Sequence, residues 1–574
     1  MSPELSEHDS IDISISKGNL HVEKTDVNRS LSSLTPTINS LDNILRKCGD
    51  FGRFQLIHYF FMNWISMSFG ITSFYYVFGA AEAEHRCRLP HHIWPNDTQY
   101  NPVDKMHEMY INKYIPKDVS GQKWEKCVQY SAGNTNDTLV SCLNGWVYDR
   151  SVFGYTFTEE ANFVCEYQAR RSWLAVAIQS SGFSLLIIGS LADKYGRKKM
   201  IVIISIILSV TCFLTQIILR WMSITIKMKF FILLLNQFAS GLVTSNFSLV
   251  LILMLELTSS AYTSFAGNLA FISYSIGEVL VALFAYLTRD WQDLKWASLI
   301  FIGLGLPYLH FMPESPLYLY AKGQYTKLES LLRRIARQNG RTEAEWYPHY
   351  QDLLNSQPVK LISRQDSIFP QITSPLLRNR KIILQLLIVC LMSLTLLMIY
   401  FQISYGLAMM DVSPYLAILI GAVCEAFSYI TSSILISTKL ARKGSFIFTM
   451  CLTIVFILLI PIMKGRSPIM TICVALAGKY SISAVTAISW IYVPEIFPTS
   501  IRSTANGFFI AFSRIGAILA PVISTLIHKE YLSYTFYASS IFAVVVLFCS
   551  LFLPETKDKP MDSEPEHLVS RNEI

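Results

Sequence analysis

The sequence predicts an all-α integral membrane protein of twelve transmembrane helices in two six-helix repeats, and three observations carry that prediction. Of 574 residues, 52% are hydrophobic and only 16% charged, against about 25% charged in soluble domains. Apolar runs of about 20 residues, enough to cross a bilayer as helix, recur along the chain. Finally, residues after the fourth and tenth runs match one another at an offset of about 239 positions. A surface this apolar needs lipid as its solvent, which excludes soluble enzymes and disordered scaffolds. Helices satisfy their own backbone hydrogen bonds in lipid, so a helical bundle is the expected form.

The first six spans are placed near 55–79, 172–192, 200–219, 230–254, 265–287 and 296–312, and the second six near 382–402, 414–437, 445–463, 468–491, 506–526 and 533–553. Basic clusters follow span 2 (Lys194, Arg197, Lys198, Lys199), span 6 (Arg333, Arg334, Arg337) and span 8 (Lys439, Arg442, Lys443). Lys and Arg in short loops mark the cytoplasmic side, which places both termini inside. Arg220, Lys227 and Lys229 fall on the opposite side of that scheme. The net charge of +7 is thereby read as membrane orientation, and no nucleic acid partner is expected.

Five regions follow. Residues 1–54 form a polar, Ser-rich cytosolic tail, expected to be disordered and without a signal peptide. Residues 55–319 form the first bundle, 320–380 a cytosolic linker, 381–553 the second bundle and 554–574 a cytosolic tail. The first bundle carries a loop over 81–170 that is far longer than a connection needs to be. It holds Cys87, Cys127, Cys142 and Cys165, expected to form two disulfides in an oxidising compartment, with three pairings open. Asn96 and Asn136 head glycosylation acceptor triplets in the same loop, which agrees with an external position. His85, His91 and His92 have poor metal-ligand spacing and read as part of a solvated loop, so no metal is expected.

The duplication is carried by Glu256 to Gly267 followed by Phe271 to Gly277, matched by Glu495 to Gly507 followed by Phe509 to Gly516. Two related bundles facing one another enclose a central solute site near mid-bilayer that opens alternately to each side. An enzyme is not expected: there is no GxxxxGK[ST] phosphate loop, HExxH or CxxC motif, and no cofactor is called for.

The turn after span 2 reads Gly189-Ser190-Leu191-Ala192-Asp193-Lys194-Tyr195-Gly196-Arg197-Lys198-Lys199. Gly189 would let helices approach closely, and Gly196 permits a tight turn. Asp193 can accept from backbone N–H groups or a basic partner and so lock one of two states. This turn resembles the signature loop of the major facilitator superfamily. Pro313-Glu314-Ser315-Pro316, Arg289-Asp290-Trp291, Pro494 to Thr499 with Arg502, Pro554-Glu555-Thr556-Lys557 and the cysteine-bearing first loop narrow the resemblance to the organic cation, anion and carnitine transporters. It covers about 50–560 and implies polyspecific alternating-access transport of small organic ions across the plasma membrane, with Arg197 available to Glu256 and Glu314. The sequence departs from that pattern at Thr263 and Leu317, where arginines are usual, and at Thr438 and Ala441, which replace Asp and Gly.

Ionisable residues inside spans are functional candidates, because stranding one in lipid costs about 2.5 kcal/mol or more. Arg514 lies about nine residues into span 11, roughly 14 Å along the helix. It reads either as a donor fork for a substrate carboxylate or as an internal partner of Glu425. By resemblance, anion and carnitine carriers often have Arg at this position and cation carriers have Asp. Lys479 in span 10 reads as a site residue or a structural pair, Glu425 as a cation site or the partner of Arg514, and Glu278 as a site residue or one near a helix end that only faces water. Trp64, Tyr75, Tyr76, Tyr400, Tyr405 and Trp490 are aromatic candidates for an organic cation, although interfacial belts use the same residues. Asn246 heads an acceptor triplet inside a span and is set aside.

The leading expectation is a secondary or facilitative carrier of small organic anions or carnitine-like zwitterions. An organic cation carrier using Glu425, Glu278 and aromatics is the alternative, and a non-transporting receptor built on the long loop is a third. The substrate and any coupling ion are left open.

Overall fold

A computed structural model describes residues 34–118, 121, 123–131, 138–259, 261–355, 380–407, 413–464, 466–497, 499–527 and 532–556, apart from the side chains of 34–40, 264, 499–504 and 532. Twelve long helices appear in the expected order. Spans 1 to 6 cover Arg53–Gly79, Cys165–Tyr195, Arg197–Trp221, Ile226–Glu256, Thr263–Thr288 and Trp291–Phe311. Spans 7 to 12 cover Arg380–Leu407, Pro414–Ser437, Ala441–Met463, Pro468–Ile496, Thr499–Leu526 and Leu532–Ser550. Eleven of these are apolar enough to cross a membrane by length and composition alone. Span 1 falls short of that standard for a physical reason: Gln55, His58, Asn63, Ser66, Ser68, Thr72 and Ser73 are all buried, so its polar residues point into the bundle.

In the first half span 5 packs on span 1, and in the second half span 11 packs on span 7. The duplication explains the likeness. A Cβ at Gly277 would lie 2.2 Å from the Met67 carbonyl oxygen, and one at its counterpart Gly516 would lie 2.0 Å from that of Leu394. The matched glycines therefore permit the same close helix crossing in both halves. The halves meet along spans 5 and 8 and along spans 2 and 11.

The long loop is not helical throughout. Strand β1 (His85–Cys87) pairs antiparallel with β4 (Trp146–Tyr148), and β2 (Val128–Tyr130) pairs with β3 (Leu139–Ser141). Of the three open pairings, the fold selects Cys87–Cys142 and Cys127–Cys165. Arg86 and Asp97 are buried and joined by two 2.7 Å hydrogen bonds. Burial alone would raise the Asp97 pKa, but the Arg86 bonds and the Leu89 N–H outweigh it and hold the carboxyl below its ordinary value. Beside it Asn96 is exposed, as an acceptor must be, while Asn136 lies outside the described residues. His91 and His92 are exposed, but the solvated-loop expectation is corrected for His85, which is buried in β1 with Nδ1 3.0 Å from the Ala83 carbonyl. His85 also lies near Cys127 and Cys165, whose sulfurs are committed to their disulfide.

The disordered tail is corrected in part. A helix over Leu34–Lys47 packs on the linker helix Glu343–Asn355, burying Leu41, Ile44, Leu45 and Cys48. Within the linker, Tyr325–Gln338 buries Leu328, Leu331, Leu332 and Ile335, one helical face. Asn339 ties the two regions: its Oδ1 accepts from Phe54 N at 2.9 Å and its Nδ2 donates to the carbonyls of Cys48 and Gly49. Residues 1–33, 356–379 and 557–574 lie outside the described residues.

Candidate functional site

Four spans bring ionisable side chains to one place between the halves. Glu278 of span 5, Tyr400 of span 7, Glu425 of span 8 and Lys479 of span 10 are buried. Lys479 Nζ lies 2.8 Å from Glu278 Oε2 and 3.0 Å from Glu425 Oε2. The Tyr400 hydroxyl lies 2.9 Å from Glu278 Oε1 and 2.9 Å from Glu425 Oε1, and the Tyr429 hydroxyl donates to Glu425 at 2.5 Å. The rings of Phe74 and Tyr400 flank the ammonium at 5.0 and 5.4 Å. Two readings are thereby corrected. Glu278 does not face water, because the close crossing of spans 5 and 1 turns it inward. Glu425 takes Lys479, two spans on, as its partner, leaving Arg514 without it.

Arg514 is 4% exposed. Its Nη1 lies 3.5 Å from Gln179 Oε1 on span 2, its Nε has no hydrogen-bond partner, and no acid among the described residues stands within ion-pair distance. Room for it is made by Gly182, where a Cβ would lie 2.5 Å from Arg514 Cδ. A buried guanidinium offers five donors in a planar fork and no acceptor, so this cation lacks its complementary anion.

The aromatic candidates separate. Tyr400 belongs to the cluster. Tyr405 is buried beside it, with its ring 5.6 Å from Tyr76 and 6.2 Å from Phe74. Trp490 contacts Phe271 across the halves at 6.2 Å and Phe509 at 5.6 Å. Trp64 is not brought to the site: it stacks on Phe301 at 4.3 Å and its Nε1 donates to that residue's carbonyl. Tyr75 turns into the first bundle, under the Lys295 ammonium at 4.0 Å.

At the loop end the halves close on aromatic contacts, Phe78 on Tyr415 at 5.2 Å and Tyr286 on Tyr415 at 5.5 Å. At the basic end each half carries a latch. In the first, Arg197 lies 3.0 Å from Asp193 and 3.3 Å from Glu256. Glu314 is not paired with Arg197; its Oε1 accepts from Lys198 N at 3.1 Å and Ser315 N at 3.0 Å, at the start of span 3. Gly196 turns there with φ of 107°. Gly189, in contrast, meets nothing within 4 Å, so its expected close approach is absent here. In the second latch, Arg442 lies 3.1 Å from Glu495, and Glu555 accepts from Arg442 N and Lys443 N at 3.2 and 3.1 Å. The roles of Arg442 and Glu555 were not singled out from sequence, yet the duplication holds the signal, since Pro554-Glu555-Thr556 repeats Pro313-Glu314-Ser315. The side chain of Arg502 lies outside the described residues. Asp193 is 65% exposed.

Two pseudo-repeated bundles around a buried ionic centre, with a latch in each half, define a multi-pass membrane transporter. Residues 142–567 match the family model described as sugar (and other) transporter, and the chain belongs to that family. Solute carrier family 22 member 6-A of Xenopus laevis is 27% identical over 93% of this chain and 94% of its own. Organic cation/carnitine transporter 2 of Rattus norvegicus is 24% identical over 92% and 94%. These relatives bear out the expected resemblance. The inward-open xylose transporter XylE from E. coli shares the fold, with a TM-score of 0.56 over 90% of this chain and 99% of its own at 14% identity.

Proposed function

We propose that this chain carries small organic anions or carnitine-like zwitterions across the plasma membrane by alternating access, with Arg514 binding the substrate carboxylate. The observation that supports this most is the buried guanidinium without an acid. A carboxylate between the halves would supply the charge and acceptors that Arg514 lacks, and charge-assisted bonds of this kind are about twice as strong as neutral ones. The relatives are named as carriers, two of them for steroids and for organic cations and carnitine, which supports organic ions over sugars and gives the receptor reading no support. The cation reading is weakened by the engagement of Glu278 and Glu425 with Lys479. The positive-inside rule supports a cytoplasmic position for the latches and both termini, and the two disulfides of the long loop support an external position for it.

The test is uptake of labelled hippurate, L-carnitine and tetraethylammonium in a heterologous cell by wild type and Arg514→Ala. Loss of hippurate or carnitine uptake on substitution supports the reading. Tetraethylammonium uptake that survives the substitution, with no carboxylate uptake by wild type, sinks it.

A further inference from the structure

The Lys479 cluster contains two carboxyl groups for one ammonium, all three buried, and its hydrogen bonds do not close if both carboxyls are ionised. An ionised carboxylate only accepts, and a phenol has one hydrogen to give. Tyr400 nevertheless stands 2.9 Å from Glu278 Oε1 and 2.9 Å from Glu425 Oε1. With both acids charged, its single hydrogen would be divided between two anions, and the cluster would hold a net negative charge in the protein interior. Two carboxylates sharing one site do not both ionise freely. A proton on one of them resolves both problems: a Glu278 carboxyl donates to Tyr400 Oη, Tyr400 donates to Glu425, and Lys479 with Tyr429 satisfies the rest of Glu425.

We propose that Glu278 and Glu425 share one exchangeable proton through Tyr400, so that this cluster is a proton-binding site coupled to the rearrangement of the two halves. The coupling follows from placement. Glu278 belongs to the first half, and Tyr400, Glu425 and Lys479 to the second, so the bonds that need the proton are bonds between the halves. When the halves part, Lys479 keeps Glu425, and Glu278 is left to exchange its proton with whichever side is open.

Among the described residues no further carboxyl group hydrogen-bonds to the cluster. Span 5 itself adds Tyr274, span 7 adds Tyr405, and span 8 adds Tyr429 and Cys424. Span 11 brings Arg514, which stands by Gln179 of span 2. Span 1 faces the cluster with Phe74 and carries no charged residue between His58 and Gly79. Span 6 contributes Lys295, held over the Tyr75 ring, and span 4 contributes Glu256, held in the latch.

Infrared titration of the full-length protein in lipid nanodiscs tests this without a substrate. A protonated-carboxyl C=O band is expected in wild type at neutral pH, titrating away as pH rises. It should be lost in Glu278→Gln and equally in Glu425→Gln, because either change leaves one carboxylate for one ammonium, and it should shift in frequency in Tyr400→Phe. Absence of the band in wild type, or a band undiminished in both Gln variants, overturns the proposal. A second arm rests on the transport reading above: labelled hippurate uptake into proteoliposomes should change severalfold when a proton gradient is imposed. Equal rates with and without the gradient overturn the coupling, whereas absence of uptake counts against the transport reading and leaves the infrared result to decide this one.

Discussion

Two buried cations lie between the same pair of bundles and are treated in opposite ways. Lys479 has two carboxyl groups and two flanking rings; Arg514 has one carboxamide at 3.5 Å and no acid among the described residues. The first arrangement is complete without a ligand and ties span 5 to spans 8 and 10. The second is incomplete and gains most from an anion that is not part of the chain. The difference teaches that burial of a charge in a membrane protein does not identify a binding site; the missing partner does.

The comparison breaks most sharply at Lys479. Lys479→Met leaves two buried carboxyls without a cation, and breaking a buried pair in this way costs about 3–5 kcal/mol. A thermal unfolding midpoint well below wild type is expected, with partial recovery in the double variant Lys479→Met/Glu278→Gln. Arg514→Leu should do the reverse, holding or raising the midpoint while lowering carboxylate uptake by about 100-fold, or about 2.7 kcal/mol. A large loss of stability in Arg514→Leu would show that this cation is structurally paired after all. Arg514→Lys should recover little uptake, because a point charge does not replace a planar fork.

Smaller changes sharpen the contrast. Gln179→Leu removes the one polar group that orients Arg514, so the half-saturating hippurate concentration should rise by about 10-fold while the unfolding midpoint stays near wild type; charge-assisted bonds contribute about 1.5–3 kcal/mol when lost outright, and this long contact sits at the lower end. Tyr400→Phe removes one hydroxyl from a cluster with other donors and should cost about 1 kcal/mol in unfolding experiments.

Much of this was legible in the residues. The periodicity and length of apolar runs gave twelve spans, and the Glu and Gly matches gave the duplication whose glycines, Gly277 and Gly516, form the two tight crossings. Span 1 was readable despite its buried polar residues because its length remained. The first latch was readable at Asp193, Gly196, Arg197 and Glu256, whereas Arg442 and Glu555 required carrying the repeat through to its end. The end of the tail was misjudged because a short amphipathic helix such as Leu34–Lys47 looks polar until a linker helix is present to cover its apolar face.

By itself, then, the sequence determined which runs cross the membrane and that Arg514, Lys479 and Glu425 lie deep in them at a cost that demands a reason, whereas the burial of Glu278 came from the structure. Tertiary structure alone decided who pairs with whom. Hydropathy depends on composition along one helix, but an ion pair depends on the rotation of each helix and on which helices touch. The Gly277 crossing turns Glu278 towards Lys479, the contact between spans 8 and 10 gives Glu425 to the same lysine, and Arg514 is left beside Gln179, packed against Gly182.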